Sequence, residues 1–449
     1  MELAGLKVLV VGAGKSGLAS ANFLASHGAY ATLTDRKKDK DLQAQLAQLD
    51  HGVALHTGGY APVAGFDLVV TSPGVPLREA VLAEAVTKGI PLIGELELAC
   101  RFCSVPMVAV TGTNGKTTTT TLIGEIAHLV RPTLVGGNIG LPLVSRVEDL
   151  PGGSLVVAEV SSFQLATTVH FRPAVAVVLN IVPDHLDWHG SMTAYVEAKA
   201  RILANQTGED TAVLNYDDPL TRDLQGRCRG RVLFFSTRQA VDEGAFVADG
   251  KIVFRSYGRE EEVADLTCLA VPGEHNLANA LAAVTAARAA GIEPAAVARG
   301  LAAFRGVRHR LETAAIRNGV RWVNDSKGTN PAAAITALRS FAGAIILIAG
   351  GRNKGSDFAA FAAEVAGKVR FLLLLGEAAP EIEAAVANCG FTAVQRVGSL
   401  QEAAFEAFRR ARPGDTVLLS PACASWDMFR NYEERGDQFC LLARQVSGQ

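Results

Sequence analysis

The chain has no surplus of positive charge, no long apolar run and no visible export signal. Its 449 residues carry a formal net charge of only −2, which leaves no basic footprint for nucleic acid. Apolar runs such as 174–179 and 371–375 fall far short of the roughly 18 residues that a membrane-spanning helix needs, and have the length of buried strands. The N-terminal apolar run breaks at Gly12, which does not fit a secretory signal. We therefore expect a cytoplasmic protein with no nucleic-acid partner and no membrane insertion.

The cysteines do not predict a disulfide framework. The seven cysteines are an odd number scattered over the chain, which indicates reduced thiols rather than disulfides. Cys100 and Cys103 form a C-x-x-C pair, but no second Cys or His pair stands at zinc spacing, so we interpret them as one face of a helix. The rest of the composition, 49% hydrophobic and 20% charged, is typical of a soluble globular enzyme, and the length favours about three domains.

The chain contains a candidate phosphate-binding loop. In VAVTGTNGKTTTTT, residues 108–121, an apolar run leads into a Gly-rich turn and then Lys-Thr. The glycines let the backbone turn its N–H groups inward, and Lys116 and Thr117 open a helix whose N-terminus attracts negative charge. In such loops the lysine reaches the terminal phosphates and the hydroxyl holds Mg²⁺. The spacing departs from G-x-x-x-x-G-K-[ST], because Val110 takes the place of the first glycine, and a chance Gly-Lys-Thr turn is the alternative.

The first segment, residues 1–94, alternates short apolar runs with helical stretches. This pattern predicts a doubly wound α/β fold with a parallel sheet. The expected strands are 8–11, 31–33 and 68–70, and the expected helices are 16–26, 42–49 and 78–86. The first turn, Gly12-Ala-Gly14-Lys-Ser-Gly17, is followed by Asp35 as in a dinucleotide fingerprint. The same turn accepts any nucleotide diphosphate, so NAD and a UDP-sugar both remain open from these residues.

The middle segment, residues 95–306, begins with the phosphate loop and adds strand candidates at 155–160, 174–180 and 211–215. Glu159 ends the first of these strands, and a buried carboxylate needs a partner. The second strand runs into Asp184-His185-Leu-Asp187, followed by Lys199, which by itself resembles a surface lysine. Open α/β sheets place ligand sites at such strand ends, although an ordinary surface loop is the alternative for Asp184 and Asp187.

The last segment, residues 307–449, repeats the alternation. Strands are expected at 321–324, 345–349, 371–375 and 416–419, and polar or Gly-rich turns follow them at 325–330, 350–354, 376–377 and 420–425. Parallel strands end at one edge of a sheet, so these turns should offer a second wall of polar groups to a cleft against the middle segment. The expected fold class is α/β in three domains: a Rossmann-like N-terminal domain (1–94), a central P-loop ATPase-type α/β domain (95–306) and a C-terminal Rossmann-like α/β domain (307–449).

Eight further motifs follow one another along the chain. They are TGTNGKTT (111–118), GGNIG (136–140), EVSSFQL (159–165), PDHLDWHG (183–190), GEHNLANALAA (273–283), HRLE (309–312), NDSKGTNP (324–331) and SPACASWDMF (420–429). In this order they resemble the Mur ligase family, and the match covers essentially the whole chain. The GAGKSG turn, the SPG of 72–74 and the SPACASWDMF ending resemble the D-glutamate-adding branch. The sequence shows neither the Asp-Asn-Pro-Arg signature of the diaminopimelate- or lysine-adding branch nor the His-rich start of the alanine-adding branch.

The resemblance implies an ATP-dependent amide-bond ligase of peptidoglycan precursor synthesis. Such an enzyme adds D-glutamate to UDP-N-acetylmuramoyl-L-alanine through an acyl phosphate and releases ADP and phosphate. ATP and Mg²⁺ are the implied cofactors, and we expect a monomer. Two other classes compete. A folylpolyglutamate synthase shares the phosphate loop but would lack the Gly-rich turn of the first segment, and a Rossmann oxidoreductase accounts only for the first hundred residues.

The resemblance also implies roles for individual residues. The catalytic residues are Lys116, Glu159, His185 and Lys199; Thr117 and Glu159 would hold one Mg²⁺, and His185 with a carbamylated Lys199 a second. The ATP-binding residues are Gly112, Thr113, Asn114, Gly115, Lys116, Thr117, Thr118, Asn276, Asn279, Arg310 and Asp325. The UDP-sugar-binding residues are Gly14, Ser16, Gly17, Asp35, Arg36, Ser72, Gly74, Asn138, Ser161 and Gln164. The D-glutamate-binding residues are Lys327, Thr329, Lys354, Ser425 and Phe429.

Within the ATP site, the resemblance places Asn276 and Asn279 beside adenine, Arg310 on the phosphates and Asp325 on the ribose. Both asparagines stand near an expected helix start, so helix capping is the alternative for them.

Overall fold

The computed structural model describes residues 1–269, 273–353 and 355–446, without the side chains of Ala44 and Asp187. These residues form two compact units, Met1–Phe304 and Arg305–Gln449. Three sheets carry the fold, two in the first unit and one in the second. Over the described ranges no helix has the length and apolar character needed to cross a membrane. The cysteines, all of which lie in these ranges, are free.

The first unit opens with a five-stranded sheet. Its elements are β1 (Lys7–Val11), α1 (Lys15–Ser26), β2 (Tyr30–Asp35), α2 (Gln43–Leu46), β3 (Ala54–Thr57), β4 (Leu68–Thr71), α3 (Ala80–Thr87), β5 (Leu92–Gly94) and α4 (Glu95–Phe102). The strands are all parallel in the order β3-β2-β1-β4-β5, which confirms the predicted doubly wound fold. Alternate residues of β1 enter the cores on the two faces of the sheet, which explains its unbroken apolar sequence.

One predicted helix of this sheet is shorter than expected. The leucine periodicity of 42–49 predicted a helix, and Leu42 is indeed buried with Leu46 and Leu49 packed on the same core. The α-helix nevertheless covers only α2, and the bonds from Gln48 N to Gln45 O and from Leu49 N to Leu46 O are those of i→i+3 turns. The predicted helix at 42–49 is therefore present only in part, over Gln43–Leu46.

A nine-stranded sheet forms the rest of the first unit. Its elements are β6 (Met107–Thr111), α5 (Lys116–His128), β7 (Thr133–Gly137), β8 (Leu155–Glu159), α6 (Ser162–Leu165), β9 (Val175–Val178), α7 (Leu186–His189), α8 (Met192–Ala200), β10 (Thr211–Asn215), α9 (Pro219–Arg222), β11 (Arg231–Phe235), β12 (Gly244–Ala248), β13 (Lys251–Ser256), β14 (Arg259–Asp265), α10 (Glu274–Ala289) and α11 (Pro294–Ala303). The strand order is β14-β13-β12-β11-β10-β9-β6-β8-β7. The predicted strands are confirmed as β6, β8, β9 and β10. Antiparallel pairing joins β13 to β12 and β14 to β13 at one end of the sheet.

The second unit holds a six-stranded sheet. Its elements are β15 (Glu312–Arg317), β16 (Val320–Asn324), α12 (Pro331–Arg339), β17 (Ile345–Gly350), α13 (Ala359–Lys368), β18 (Val369–Leu375), α14 (Ala379–Asn388), β19 (Val394–Arg396), α15 (Leu400–Arg410), β20 (Thr416–Leu419) and α16 (Tyr432–Val446). The order is β15-β16-β20-β17-β18-β19, with β15 antiparallel and the others parallel. The four predicted strands are present, and the α/β class is confirmed.

Candidate active site

The Gly-rich turn after β1 is held by two of the residues that the sequence singled out. Asp35 Oδ2 accepts a hydrogen bond from Ala13 N at 2.8 Å, and Ser72 Oγ donates to Gly12 O at 2.8 Å. A Cβ at Gly17 would lie 1.8 Å from Gly12 O, so this close approach of helix and turn requires glycine. The carboxyl ends of β1, β2 and β4 thus meet at one edge of the sheet.

The remaining residues of this edge differ in exposure. Gly14 precedes α1 and Ser16 lies in its first turn, where no side chain caps the helix. Gly74 lies in the loop after β4, and a Cβ there would meet open space. Arg36 is exposed and pairs with Glu79 at 3.3 Å. The edge therefore presents backbone N–H groups together with an exposed cation, a combination suited to phosphates.

The phosphate loop lies between β6 and α5, as predicted. Gly115 has φ +84° and Gly112 φ +154°, conformations that a side chain would strain. A Cβ at Gly115 would lie 2.2 Å from Oδ1 of Asn279, and one at Gly112 would lie 2.9 Å from Cβ of Leu179. The loop is thus packed closely from two sides. Thr117 and Thr118 follow in the first turn of α5, and both are buried.

Two lysines converge on one carbonyl of this loop. Lys116 Nζ donates to Gly112 O at 2.8 Å and to Thr113 O at 2.9 Å, and Lys199 Nζ donates to Gly112 O at 2.8 Å. Lys199 is 1% exposed and its Nζ lies 4.6 Å from the centre of the Tyr195 ring. Burial and the charge of Lys116 lower the pKa of Lys199 to about 7, against a smaller opposing effect of Asp184.

Glu159 stands beside the loop with one oxygen unpaired. It ends β8 and is in register with Val110 of β6, next to the start of the loop. Its Oε1 accepts from Asn138 Nδ2 at 2.7 Å, whereas its buried Oε2 has no hydrogen-bond partner. A buried anionic oxygen without a donor is costly unless a cation or a water satisfies it. Asn138, which was expected to face the UDP-sugar, therefore also holds Glu159 in place.

Ser161 and Gln164 cap a helix. Gln164 Oε1 accepts from Ser161 N at 3.0 Å, and Ser161 Oγ accepts from Gln164 N at 3.3 Å, which is a capping box at the start of α6. Both side chains are buried. Through this capping box they hold the turn that follows Glu159.

His185 and its neighbours form an aromatic cluster. His185 precedes α7 with φ 51°, and its half-exposed ring has Nε2 3.5 Å from Oδ2 of Asp184. The Phe163 ring lies 4.8 Å from it. His189, which the sequence analysis did not select, stacks parallel to Phe163 at 5.6 Å and places Nε2 2.9 Å from Oγ of Ser162. The motif HLDWHG contained this second histidine at a visible spacing, so a sequence signal for it existed.

A groove of about 650 Å³ adjoins this cluster. Leu77 and Arg78, from the loop after β4, form one wall, and Trp188, His189 and Glu197, from α7 and α8, line the other. The groove therefore lies between the edge of the first sheet and helices of the second.

Asn276 and Asn279 both lie inside α10, in its first two turns. The residue before the helix is Gly273, so neither asparagine occupies the capping position considered for them. Asn279 is buried against the phosphate loop and accepts a hydrogen bond from Thr119 Oγ1 at 3.3 Å. Asn276 lines a small apolar pocket with Thr118, together with Leu122, Leu269, Ala280, Leu301 and Phe304.

In the second unit, Asp325 is a buried carboxylate. It follows β16 and its Oδ2 accepts from Ser420 Oγ at 2.7 Å. Burial raises its pKa to about 7, although the Ser420 hydrogen bond and the charge of Arg310 act in the opposite direction. A Cβ at Gly328 would lie 2.5 Å from the same oxygen, so the turn after β16 wraps closely around the carboxylate.

The predicted shared edge of polar turns is confirmed within this unit. Gly350 N donates to Pro421 O, Arg352 N to Ala424 O and Ala422 N to Gly328 O, at 2.8 to 2.9 Å. Glu377 N donates to Asp427 Oδ2 at 2.9 Å. The turns that follow β16, β17, β18 and β20 therefore lie together.

The residues of this edge that were predicted to bind D-glutamate differ in their burial and in their contacts. Ser425 is buried and Phe429 packs against the core of the sheet. Lys327 Nζ lies 5.8 Å from the ring centre of Tyr432, an aromatic residue that the sequence analysis missed. Lys354 lies outside the described residues. Thr329 donates its N–H to Lys327 O at 2.9 Å, which completes the turn.

A buried arginine supports two of these turns. Arg435 of α16 is 1% exposed and donates to Ser326 Oγ and Ser326 O, both at 2.9 Å, and to Cys423 O at 3.3 Å. Burial lowers its pKa to about 10. The pattern NYEERGDQF around it is that of an ordinary amphipathic helix, so the sequence carried no signal for this contact.

A Gly-rich loop, two lysines and a buried carboxylate at the carboxyl edge of a mostly parallel sheet define a protein that binds a nucleotide and handles its phosphates. Three family models match this chain: the Mur ligase MurD-like N-terminal domain over 6–94, the Mur ligase middle domain over 110–287 and the Mur ligase glutamate ligase domain over 309–423. The chain belongs to the Mur ligase family, whose members catalyse ATP-dependent amide ligation in peptidoglycan precursor synthesis.

Curated relatives agree with this assignment, and a solved structure agrees with the fold. The chain is 54% identical over 437 residues to UDP-N-acetylmuramoylalanine--D-glutamate ligase of Pelotomaculum thermopropionicum, covering 96% of both chains. It is 45% identical over 446 residues to the ligase of that name from Caldicellulosiruptor saccharolyticus, covering 98% of both. Among solved structures it is similar to UDP-N-acetylmuramate-alanine ligase MurC of Thermotoga maritima, with a TM-score of 0.58 at 20% identity over 99% of this chain and 100% of that one. This structural similarity supports the fold alone.

Proposed function

We propose that this chain joins D-glutamate to UDP-N-acetylmuramoyl-L-alanine at the expense of ATP, releasing ADP and phosphate. The names of the relatives at 54% and 45% identity support this choice of substrates. The structural observation that carries the proposal is that the phosphate loop and the buried Glu159 follow the neighbouring parallel strands β6 and β8, with Lys116 opening the helix after that loop. We also propose that the enzyme acts in the cytoplasm as a monomer, with the domains 1–94, 95–306 and 307–449.

The reaction explains the concentration of positive charge. A carboxylate is a poor electrophile, so the substrate carboxylate first takes the γ-phosphoryl group of ATP and becomes an acyl phosphate. The amine of D-glutamate then attacks the acyl carbon and phosphate leaves. Two anions must meet in the first step, and cations placed between them lower its barrier. We assign Lys116 to the β- and γ-phosphates and Arg310 to the phosphate chain.

Thr117 and Glu159 are proposed to hold one Mg²⁺. The unpaired, buried Oε2 of Glu159 fits this group, because a hard cation prefers oxygen and would satisfy the carboxylate. No cluster of three or more His, Cys, Asp or Glu side chains suited to a metal occurs among the described residues, which agrees with an ion held by few protein ligands and by substrate phosphates. When bound, Mg²⁺ supplies charge neutralisation at the phosphates.

His185 and Lys199 are proposed to hold a second Mg²⁺ near the substrate carboxylate. An ammonium group repels a cation, so this role requires Lys199 to carry CO₂ as a carbamate, which offers oxygen ligands. Carbamate formation needs the neutral amine. The burial of Lys199 and its pKa of about 7 provide that form near neutral pH.

The adenosine of ATP is assigned to Asn276, Asn279 and Asp325. Asn276 lies beside Thr118 at a small apolar pocket, where its amide offers a polar group to the base. Asn279 also holds the phosphate loop through Gly115, so its substitution should affect the phosphates as well as the base. Asp325 is proposed to accept from the ribose hydroxyls.

The UDP-sugar is assigned to the edge of the first sheet. The turn bearing Gly14, Ser16 and Gly17 offers its N–H groups to the diphosphate, while the remaining residues of the proposed site contact the rest of the nucleotide and the sugar. These residues are Asp35, Arg36, Ser72, Gly74, Asn138, Ser161 and Gln164. The groove that begins at Leu77 and Arg78 continues from this edge.

D-Glutamate is assigned to Lys327, Thr329, Lys354, Ser425 and Phe429. The two lysines and the hydroxyls would receive its two carboxylates. Tyr432 is added to this set, because its ring lies beside Lys327.

The test is a phosphate-release assay on the purified chain. We expect release that requires ATP, D-glutamate and UDP-N-acetylmuramoyl-L-alanine together, with no change in NAD(P)H absorbance. Release with a folate acceptor would instead support a folylpolyglutamate synthase. Release with D-glutamate absent and another amino acid present would contradict the proposed specificity.

A further inference from the structure

Residues 179–182, which follow β9, form a strap along the phosphate loop. Thr113 N donates to Asn180 O at 2.9 Å. Thr113 Oγ1 donates to Val182 O and accepts from Val182 N, both at 3.1 Å. Leu179 packs closely on Gly112, since a Cβ added to that glycine would lie 2.9 Å from the Cβ of Leu179. The strap therefore touches the loop through backbone, side-chain and van der Waals contacts.

The side chain of Asn180 makes the most specific of these contacts. Its Oδ1 accepts from Asn114 N at 2.8 Å, and its Nδ2 donates to Asn114 O at 3.1 Å. One planar amide thus pairs with both hydrogen-bonding groups of a single loop residue. An aspartate at this position would keep the acceptor but lose the donor, and an alanine would lose both.

This pairing decides which loop groups face a ligand. Asn114 N and Thr113 N are occupied by Asn180, and α5 begins at Lys116 with Gly115 as its N-cap, so the start of this helix is the part of the loop suited to an anion. Gly115 holds φ +84° directly after Asn114, and a Cβ there would lie 2.2 Å from Oδ1 of Asn279. The loop is therefore in contact with Asn180 at residue 114 and with Asn279 at residue 115.

We propose that Asn180 is a positioning residue that keeps the phosphate loop in its nucleotide-binding shape and links it to the segment leading to Asp184 and His185. The proposal rests on the proposed function in one respect, that the loop binds ATP. Asn180 itself need not touch the nucleotide. Loss of its two hydrogen bonds should weaken nucleotide binding while leaving the UDP-sugar edge, formed by other elements, unaffected.

Asn215 provides a matched control. It ends the neighbouring strand β10, donates to Leu179 O at 2.8 Å and accepts from Asp217 N at 2.9 Å, so it also joins two backbone groups, but it bonds to the strap and not to the loop. A purely structural effect of removing an asparagine at a strand end should appear in both Asn180→Ala and Asn215→Ala.

The experiment measures Kd for ADP with Mg²⁺ and Kd for the UDP-sugar substrate by calorimetry on the full chain, together with Tm without ligand. We expect Asn180→Ala to raise Kd for ADP about 10-fold or more, from the net value of two hydrogen bonds, and to change Kd for the UDP-sugar less than about twofold. Asn180→Asp should weaken ADP binding at least as much, because it adds negative charge near the phosphates. Asn215→Ala should leave both Kd values unchanged.

Unchanged ADP binding in both Asn180 variants would overturn the proposal, as would equal losses for ADP and UDP-sugar that follow the fall in Tm. If Asn180→Ala does not fold, Asn180→Ser, which lacks the planar amide and adds no charge, decides by the same criteria. Absence of ADP binding in the unaltered chain would instead overturn the ATP-dependent function, which separates the two failures.

Discussion

Lys116 and Lys199 share one acceptor, since the Nζ atoms of both donate to Gly112 O at 2.8 Å. Two ammonium groups at one carbonyl repel each other, and burial further disfavours the charged form of Lys199. Burial and the charge of Lys116 together lower the pKa of Lys199 to about 7. A bound nucleotide offers Lys116 stronger, anionic acceptors. In the proposed ATP complex the two lysines would have separate partners, with phosphate for Lys116 and the Gly112 carbonyl for Lys199.

The first prediction concerns phosphoryl transfer. Lys116→Ala and Glu159→Ala should each reduce kcat about 10²-fold or more, the scale for removing charge stabilisation from a transition state. The measurement is steady-state phosphate release at saturating substrates. Lys88→Ala, which removes an exposed lysine paired with Glu84, serves as the control and should retain full turnover. Near-normal kcat in both active-site variants would remove these residues from the step.

The second prediction concerns the carbamate. Exhaustive CO₂ removal should lower activity and bicarbonate should restore it, because only the carbamate gives Lys199 oxygen ligands. Lys199→Ala should be inactive and partly rescued by a small carboxylic acid that fills the vacated oxygen position. Full activity of Lys199→Ala without added acid would exclude this residue from the mechanism.

The features that the sequence predicted well are those written in local patterns. Buried parallel strands such as β1, β6 and β20 are unbroken apolar runs, and the phosphate loop is a contiguous motif. The strands that the sequence did not predict lack such an unbroken apolar run. β7 contains two glycines and is only partly buried, and β14 exposes Glu260, Glu261 and Glu262 along an edge. Charged residues on an edge strand protect a sheet from aggregation. They also interrupt the apolar pattern by which a strand is predicted from the sequence.

The contacts that could not be predicted join residues far apart in the chain. Lys199 lies in AYVEAKA, which reads as an exposed helix, and only the fold buries it against Gly112, 87 residues away. Arg435 reaches Ser326 over 109 residues. The roles proposed for Asn180 and Tyr432 likewise depend on which loops the parallel strands bring to one edge. A single sequence specifies that edge, but not which side chains meet across it.

The third prediction uses the buried carboxyl of Glu95. Burial raises its pKa to about 7 from an ordinary 4.5, although the N–H groups of Val144 and Leu143 stabilise the anion. The folded state therefore holds this proton more tightly than the unfolded state does. The resulting stabilisation is fully present below pH 4.5 and is lost as the pH rises through about 7.

Glu95→Gln should remove this pH dependence while keeping an acceptor for Val144 N. We expect the Tm of the variant relative to the unaltered chain to be higher at about pH 8 than at about pH 5, with a difference in unfolding free energy of about 3 kcal/mol between the two limits. Glu84→Gln, at a side chain that is 41% exposed, should show no such trend in thermal unfolding followed by circular dichroism. Parallel curves for Glu95→Gln and the unaltered chain would mean that Glu95 titrates normally.

The last prediction separates two aromatic residues of the second unit. Phe429 packs against the core formed by β16, β20 and α16, whereas the ring of Tyr432 lies 5.8 Å from Lys327 Nζ and 6.0 Å from the His309 ring. Tyr432→Ala should raise KM for D-glutamate about 10-fold with a small effect on Tm, because the ring lies beside the lysine proposed to receive a carboxylate. Phe429→Ala, at the other aromatic residue of the proposed site, should raise this KM as well, and it should also lower the free energy of unfolding by about 2 kcal/mol or more through the cavity it leaves.

Steady-state kinetics with varied D-glutamate and thermal unfolding distinguish the two residues. Trapping of the acyl phosphate by reduction should remain intact in Tyr432→Ala, since that intermediate forms before the amino acid reacts. An unchanged KM for D-glutamate in Tyr432→Ala would remove Tyr432 from the proposed amino-acid site. An unchanged KM in Phe429→Ala would likewise remove Phe429 from that site and leave it a role in stability alone.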